Sequence, residues 1–216
     1  MKAKLALGIS VTALLLLGVC TGVGSCRDEV RRISARASAL VSSVWYLRGS
    51  YTPTGQPPLR ALNQDNLSQF HTAFDAGSDR ARVLLLVSPT CPLCLRGVSA
   101  IQEVLKRMES SDVRVLVVWE PILASDWGKP TRPALSRIPD RRAMQFWDKD
   151  HLVAKELGQQ VSASSQPSCC KREGILWDVA VLYPRHVPWG GQPLCIIGPI
   201  AESEPELSYR MQSALR

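Results

Sequence analysis

The stretch from Arg82 to Lys106 limits the possible folds of this chain more than any other. It opens with Val83–Val87, an uninterrupted run of branched apolar residues that is typical of a strand buried on both faces of a sheet. The segment Ser88–Thr90 breaks this run. The apolar residues after Cys94 recur at the spacing of an amphipathic helix: Leu95, Val98, Ile101, Val104 and Leu105. The sequence therefore predicts a buried strand, a turn and a helix, with Cys91 and Cys94 where the strand gives way to the helix.

This position has consequences for the Cys91-Pro92-Leu93-Cys94 motif. The first turn of a helix presents unpaired N–H groups and the positive end of the helix dipole, which favours a thiolate over a thiol. In such motifs the thiol pKa falls to roughly 3.5–7.5. We expect Cys91, the more exposed of the two, to be the nucleophile, and Cys94 to attack the resulting mixed disulfide. Pro92 suits the first helical turn.

A second apolar strand is predicted over Asp112–Trp119. Two strands joined by a helix lie parallel in the same sheet, with a right-handed crossover. Binding sites of open α/β sheets concentrate at the carboxyl edge of the parallel strands. The order of elements places Cys91 at that edge, which favours a functional role for the motif.

The strand, the run Ser-Pro-Thr-Cys-Pro-Leu-Cys, the helix and the second strand resemble the redox end of a thioredoxin-like domain. The closest resemblance is to exported bacterial thiol–disulfide oxidoreductases with a single Cys-X-X-Cys, and it extends over about Gln64 to Ile200. It implies an α/β, thioredoxin-like fold with a mixed central sheet flanked by helices. It also implies a redox-active Cys91/Cys94 pair, no cofactor, and protein thiols or disulfides as partners.

The sequence departs from this family's pattern at three places. The strand Val83–Val87 lacks the buried acid found in efficient thioredoxins, so no acceptor for the Cys94 proton is evident. Thr90 stands where those proteins have tryptophan. Neither candidate fits the family's cis-proline, which precedes a strand opposite the cysteine pair. Pro167 lies too far before the strand that begins at Ile175, and Pro193 precedes the later strand that begins at Leu194.

The N-terminus predicts export. Lys2 and Lys4 precede an uncharged, largely apolar run from Leu5 to Ser25. This pattern fits a secretory signal, and the run is also long enough for a membrane anchor. Val-Gly-Ser before Cys26 resembles a bacterial lipobox, which makes Cys26 a possible lipid attachment site. Each alternative places the rest of the chain in the periplasm or at the outer face of a membrane, where disulfides persist.

Three segments follow from these patterns: a signal or anchor over 1–26, a helix and linker over 27–60, and the thioredoxin-like domain over 61–216. The net charge of +7 is scattered, and no interleaving of basic and aromatic residues suggests nucleic acid. Further helices are predicted over Gln64–Ala76, Arg141–Leu157 and Glu204–Leu215. Ile175–Tyr183 and Leu194–Ile197 are predicted to form an antiparallel hairpin.

Four side chains outside the motif are considered as functional candidates. Trp127 lies in the long loop 120–140 that leaves the cysteine edge, and we expect it to pack on the core rather than line a substrate groove. His71 is expected to be structural. His151 is a possible base that nothing in the sequence places near Cys91. Cys195, within an apolar strand, is expected to be a buried, inert thiol.

The adjacent Cys169 and Cys170 leave several interpretations open. Neighbouring Cα atoms are about 3.8 Å apart, below the usual range for a disulfide, so a mutual bond would be strained. These thiols could instead resolve a disulfide at Cys91, bind a soft metal, or remain idle on a loop, and we favour the last.

Three functions remain for the whole chain. The first is an exported, membrane-attached thiol–disulfide oxidoreductase that uses Cys91 and Cys94 with a redox partner. The second is a soft-metal-binding protein that adds Cys169 and Cys170 to that pair. The third is a non-catalytic module with a structural disulfide. A four-ligand zinc site would need a second Cys-X-X-Cys or a histidine pair, which the sequence lacks. The first function requires Cys91 to be ionised and reachable at a helix start.

Overall fold

The computed structural model describes Gly49, residues 51–108 and residues 112–214. The predicted signal or anchor over 1–26, with Cys26, lies outside these residues, as do residues 27–48 of the predicted helix and linker. Within the part of the chain that the model describes, no helix is long and apolar enough to cross a membrane.

A six-stranded sheet forms the centre of the domain, with strand order β1-β4-β3-β2-β7-β8. Its first four strands run parallel to one another, whereas β7 and β8 are antiparallel to their neighbours. The strands are β1 (Arg60–Leu62), β2 (Ala81–Val87), β3 (Val113–Trp119), β4 (Ala143–Asp148), β5 (Lys171–Arg172), β6 (Ile175–Leu176), β7 (Val179–Tyr183) and β8 (Cys195–Ile197). The helices are α1 (Ser68–Asp75), α2 (Pro92–Arg107), α3 (Arg132–Leu135), α4 (Leu152–Gln160) and α5 (Glu204–Ser213). The short β5 and β6 pair only with each other.

The predicted unit around the cysteines is present. All seven residues of β2 are buried, and β2 pairs in parallel with β3 from Ala81 opposite Val113 to Val87 opposite Trp119. The hairpin of β7 and β8 is antiparallel, as predicted. These pairings bring the carboxyl end of β2, and with it the cysteine motif, to one edge of the sheet.

Helices cover both faces of this sheet. Val83, Leu85 and Val87 of β2 face a cluster that includes residues of α2 and α5, among them Ile101 and Leu207. The alternate residues of β2 face a second cluster built with α1 and α4, including Phe70, Phe74, Val153 and Leu157. Because the side chains of a central strand alternate between the faces, the continuous apolar run fills both cores. The predicted mixed central sheet flanked by helices is confirmed.

The helix predicted over Arg141–Leu157 is wrong. Residues Ala143–Asp148 form β4, which lies between β1 and β3, and α4 begins only at Leu152. Phe146 and Trp147 belong to the clusters on opposite faces of the sheet, the alternation of a strand buried on both sides. The helical spacing of Met144 and Trp147 is therefore coincidental.

The single strand predicted over Ile175–Tyr183 is interrupted. The short β6 ends at Leu176, and β7 begins at Val179. Between them Asp178 adopts a positive φ of 52°, which is incompatible with an extended strand. The interruption places Asp178 immediately before β7.

Candidate active site

Cys91 occupies the N-cap position of α2 and has the extended backbone typical of a cap. Its Sγ accepts a hydrogen bond from the Cys94 backbone N–H at 3.5 Å. Pro92 is the first residue of the helix, where its missing N–H removes no helical bond. The predicted placement of the motif at a helix start is therefore correct. A negative charge on Cys91 Sγ would face the N–H groups of the first turn.

Cys91 is the more exposed of the two cysteines, as expected, but it is buried, which contradicts the expectation of a reachable sulfur. The residue is 4% exposed and Cys94 is fully buried, and both are free thiols. The neighbours Thr90, Pro92 and Leu93 are exposed, so the motif lies at the surface.

Asp126 holds the turn before the motif in place. Its carboxylate accepts hydrogen bonds from Ser88 Oγ at 2.8 Å and from the Thr90 N–H and hydroxyl at 3.1 and 2.6 Å. It also accepts the backbone N–H groups of Ile122 and Leu123 at 2.9 and 2.8 Å. Asp126 therefore connects the turn that carries Cys91 to the long segment after β3.

Trp127, the next residue, is 89% exposed. The expectation that it packs on the core is wrong. The hydrogen bonds of Asp126 already attach this part of the segment to the domain, so the indole is not needed for that purpose. An exposed tryptophan beside a reactive site is suited to contact a partner, because it provides a large rigid apolar surface.

Cys94 has an acidic neighbour that the sequence analysis missed. Asp178 is 3% exposed, and its Oδ1 has no hydrogen-bond partner among the described residues. Burial raises the pKa of Asp178 to about 6, while interactions with the backbone of Ile200 and with the Cys94 thiol oppose the shift. Burial above all, with the nearby Asp178 charge second, raises the pKa of the Cys94 thiol well above its ordinary value. The pair therefore holds its proton on Cys94 at neutral pH, with a carboxylate in position to accept it.

Asp178 thus places an acid near Cys94 from the turn before β7, whereas β2 itself carries none. In the β2–β7 ladder Leu86 lies opposite Val179, so Asp178 comes next to the end of β2, where the motif begins. The sequence contains a signal for this residue, namely a lone acid inside the apolar run Ile175–Tyr183. Sequence patterning alone does not reveal that the strand breaks there and turns the acid towards Cys94.

A buried acid, Glu120, lies with His151 at the same edge of the sheet. The Glu120 N–H donates to Val87 O at 2.9 Å, and the Glu120 carboxylate contacts His151 Nδ1 at 3.0 Å. Burial raises the pKa of Glu120 to about 7, and His151 counteracts this shift. The hydrogen bond to Glu120 is the main cause that raises the pKa of His151. His151 thus has a carboxylate partner, which the sequence did not indicate.

The remaining candidates lie elsewhere. His71 contacts Glu156 at 2.8 Å and stacks on Trp189, in agreement with a structural role. Cys195 is a half-buried free thiol, less buried than predicted, and burial raises its pKa. A cis peptide bond joins Gly198 to Pro199, after β8, and so involves neither Pro167 nor Pro193.

The adjacent cysteines are not idle. Cys169 and Cys170 are joined to each other as a disulfide, which corrects the expectation of two free loop thiols. No three histidine, cysteine or acidic side chains in the described ranges come together as a metal site. The soft-metal hypothesis therefore has no ligand set in this part of the chain.

The topology around the motif agrees with the resemblance noted in the sequence. A strand, a Cys-X-X-Cys turn, a helix, a parallel strand and a final antiparallel pair follow one another in the sheet order described above. This is the order of elements that the resemblance to thioredoxin-like domains implies. No family model and no curated protein sequence matches the chain.

Three solved structures are similar to it. One is Mycobacterium tuberculosis DsbF in mixed oxidised and reduced forms, at 18% identity and a TM-score of 0.42, covering 63% of this chain and 81% of that one. Another is a secreted M. tuberculosis disulfide oxidoreductase homologous to Escherichia coli DsbE, at 13% identity and 0.40, covering 64% and 85%. The third is a thioredoxin-like protein in its oxidised form, at 17% identity and 0.42, covering 63% and 78%. The similarity concerns the fold, and no site residue is transferred from these proteins.

Proposed function

We propose that this protein is an exported thiol–disulfide oxidoreductase whose Cys91 and Cys94 alternate between dithiol and disulfide. One observation carries the proposal: Cys91 caps α2 with its sulfur accepting the Cys94 N–H, while the buried carboxyl group of Asp178 interacts with the Cys94 thiol. One sulfur is thus placed where a negative charge is stabilised, and the other has a proton acceptor.

In the reducing direction the chemistry proceeds in two exchanges. The Cys91 thiolate attacks a substrate disulfide, forms a mixed disulfide and expels one substrate thiolate, which takes up a proton. Cys94 then loses its proton to the Asp178 carboxylate and attacks Cys91 Sγ. This step releases the second substrate thiolate and leaves a Cys91–Cys94 disulfide, so two electrons pass to the substrate. The reverse sequence oxidises a substrate dithiol.

Access to Cys91 is a requirement of this mechanism. Because the sulfur is 4% exposed, the turn formed by Thr90, Pro92 and Leu93 must move for a protein disulfide to reach it. We expect substrate docking to supply this movement. Burial of the sulfur also favours a second candidate, a non-catalytic module in which Cys91 and Cys94 form a stable structural disulfide.

One series of measurements distinguishes the two. We expect the purified protein to reduce insulin with dithiothreitol as electron source, and expect Cys91→Ser to abolish turnover. Cys195→Ser, which removes a thiol outside the motif, is the matched control. A Cys91–Cys94 reduction potential below about −300 mV, with no turnover, would instead establish the structural module.

A trapping experiment would identify the physiological partner. Cys94→Ser removes the attacking thiol, so a mixed disulfide at Cys91 accumulates instead of being resolved. When the complete chain carrying this substitution is expressed, we expect partner proteins to be linked to it by a disulfide. These linked species should appear as extra bands on non-reducing gels and disappear on reduction. Cys91→Ser/Cys94→Ser should retain none of them.

A further inference from the structure

The Cys169–Cys170 disulfide lies beside the residues that contact Cys94. Gly198 lies between the two groups. A Cβ atom on it would be 2.7 Å from Asp178 O and 3.0 Å from Cys170 Sγ. Cys169 Sγ is 3.4 Å from Gly198 O. The side chain of the same Asp178 interacts with the Cys94 thiol. Gly198 and Asp178 therefore lie between the two cysteine pairs.

The close approach at Gly198 depends on the absence of a side chain. Real Cβ atoms are essentially never found within 3.0 Å of a backbone oxygen, as one on Gly198 would be. Any larger residue would displace either the Asp178 backbone or the Cys170 sulfur. The loop with the adjacent cysteines is thus packed directly against the segment that includes Asp178.

The two pairs differ in accessibility. Cys169 is exposed, whereas Cys170 is 2% exposed and Cys91 and Cys94 are buried. A protein partner can reach Cys169 on the surface without rearrangement of the Cys91 turn. Of the four sulfurs, the one at Cys169 is therefore best placed for the first contact with a large redox partner.

The two pairs also differ in redox state. Cys91 and Cys94 are thiols, and Cys169 and Cys170 are a disulfide. Disulfides between sequence neighbours have a Cα separation of only about 3.8 Å, outside the usual 4.4–6.8 Å, and such deviation makes the bond more reducible. Strained, exposed disulfides are the labile and catalytic ones. A Cys169–Cys170 disulfide is therefore suited to accept electrons from the Cys91/Cys94 dithiol.

We propose that Cys169 and Cys170 are a second redox pair that relays electrons between the Cys91/Cys94 pair and an external protein thiol or disulfide. This proposal rests on the function proposed above. The Cys91 thiolate attacks Cys169 Sγ, the Cys169–Cys170 bond breaks, and Cys170 leaves as a thiolate that takes up a proton. Cys94 then attacks Cys91 Sγ and releases Cys169. The net exchange yields a Cys91–Cys94 disulfide and a Cys169/Cys170 dithiol, with two electrons transferred and no further oxidant.

The first test traps the intermediate in the complete chain. In purified Cys94→Ser, with no partner protein present, the second attack cannot occur, and both loop cysteines remain in place. We expect a Cys91–Cys169 disulfide in non-reducing peptide maps, with Cys170 open to alkylation and a yield independent of protein concentration. Cys94→Ser/Cys195→Ser should give the same cross-link. An intact Cys169–Cys170 bond beside a Cys91 that reacts with oxidised glutathione would overturn the relay.

The second test measures turnover with a protein substrate. Cys169→Ser alters an exposed side chain, and we expect it to lower insulin turnover at least tenfold, whereas Cys195→Ser should not change it. Wild-type turnover in Cys169→Ser, with none in Cys91→Ser, would overturn the relay and leave the proposed function intact. Turnover that survives in Cys91→Ser as well would overturn both.

Discussion

At the scale of single residues, Asp178 has the most specific role in this site. It is a buried acid with its pKa raised to about 6, and its proton-accepting carboxyl group is next to a thiol that burial keeps protonated. Neither group would behave in this way in water. Their contact makes a proton transfer available at the step in which Cys94 attacks.

Replacing Asp178 tests this role. We expect Asp178→Asn to slow the release of a mixed disulfide from Cys91 by about 10²-fold, the usual contribution of a positioned base. In the unmodified protein the rate should fall as pH drops through about 6, because the carboxylate becomes protonated. Stopped-flow release kinetics between pH 5 and 8 should show that inflection only when Asp178 is present. The exposed Asp65→Asn is the control, and an inflection retained in Asp178→Asn would exclude this role.

The same residue should reduce stability at neutral pH. Its pKa rises from 3.8 to about 6 on folding, so the folded state binds the proton more tightly than the unfolded state. The stabilisation from this group is present below the unfolded pKa and is lost as pH rises through about 6. We therefore expect the stability advantage of Asp178→Asn over the wild type to grow by up to about 3 kcal/mol between pH 4 and 7.5. Urea unfolding at both pH values measures it, and an advantage that does not change with pH would contradict the argument.

Trp127 should matter for partners and not for folding. Because the indole is 89% exposed, Trp127→Ala should change the free energy of unfolding by less than about 0.5 kcal/mol. We expect the KM for insulin to rise severalfold with kcat unchanged. Tyr209→Ala, which removes an aromatic residue 72% exposed on α5, is the matched control. An equal rise in the KM for insulin in both variants would show that Trp127 makes no specific contact with the substrate.

At the scale of elements, the packing of α2 against the turn after β8 controls the geometry around Cys94. A Cβ atom on Gly97 of α2 would lie 2.7 Å from Cβ of Ile200, whose backbone interacts with the Asp178 carboxyl group. The helix that begins at Cys91 and the residue that orients Asp178 are thus in direct contact. Glycine at position 97 allows this approach.

Two glycine substitutions should therefore change the free energy of unfolding in opposite directions. Gly97→Ala forces α2 away from Ile200, and we expect it to destabilise the protein by about 1–3 kcal/mol. Gly158→Ala, in α4 where no atom lies within 4 Å of the new Cβ, should stabilise it by about 0.5–1 kcal/mol. Thermal and urea unfolding compare them. Destabilisation by both would indicate a general intolerance of alanine instead of a specific contact.

The β2–α2–β3 unit was predictable because its signals are local. Long apolar runs, a proline in the first turn and a regular helical stripe all fall within the sequence that forms the unit. β4 was missed because the spacing between Met144 and Trp147 suits a helix. The alternation of its side chains between the two faces of the sheet becomes evident only from its position between β1 and β3. Asp178, the pairing of Cys169 with Cys170 and the burial of Cys91 depend on contacts between distant segments, which patterning within one segment does not encode.

At the scale of the whole molecule, the predicted signal or anchor would determine where the proposed chemistry takes place. If Cys26 is lipidated after signal cleavage, as the lipobox-like sequence suggests, the domain is held at a membrane surface. A membrane-attached oxidoreductase samples partners in two dimensions, whereas a released one diffuses through the compartment. The attachment therefore affects which proteins it encounters.

Cys26→Ser tests that attachment. Expressed in a bacterial host, the wild-type chain should fractionate with membranes and incorporate a labelled fatty acid, and the variant should do neither. Cys20→Ser, at the less suitable upstream cysteine, is the control. Unlabelled wild-type protein with a mature N-terminus other than Cys26 would contradict lipid attachment.

The five paired positions between β2 and β7, from Arg82 opposite Tyr183 to Leu86 opposite Val179, also restrict how this protein can evolve. An insertion within residues 162–168 lengthens only the segment before Cys169. A single added residue between Asp178 and Val179 would instead move the Asp178 carboxyl group away from Cys94 and leave both cysteines of the motif in place. Lineages of this protein should therefore vary in length within residues 162–168 and almost never between Asp178 and Val179.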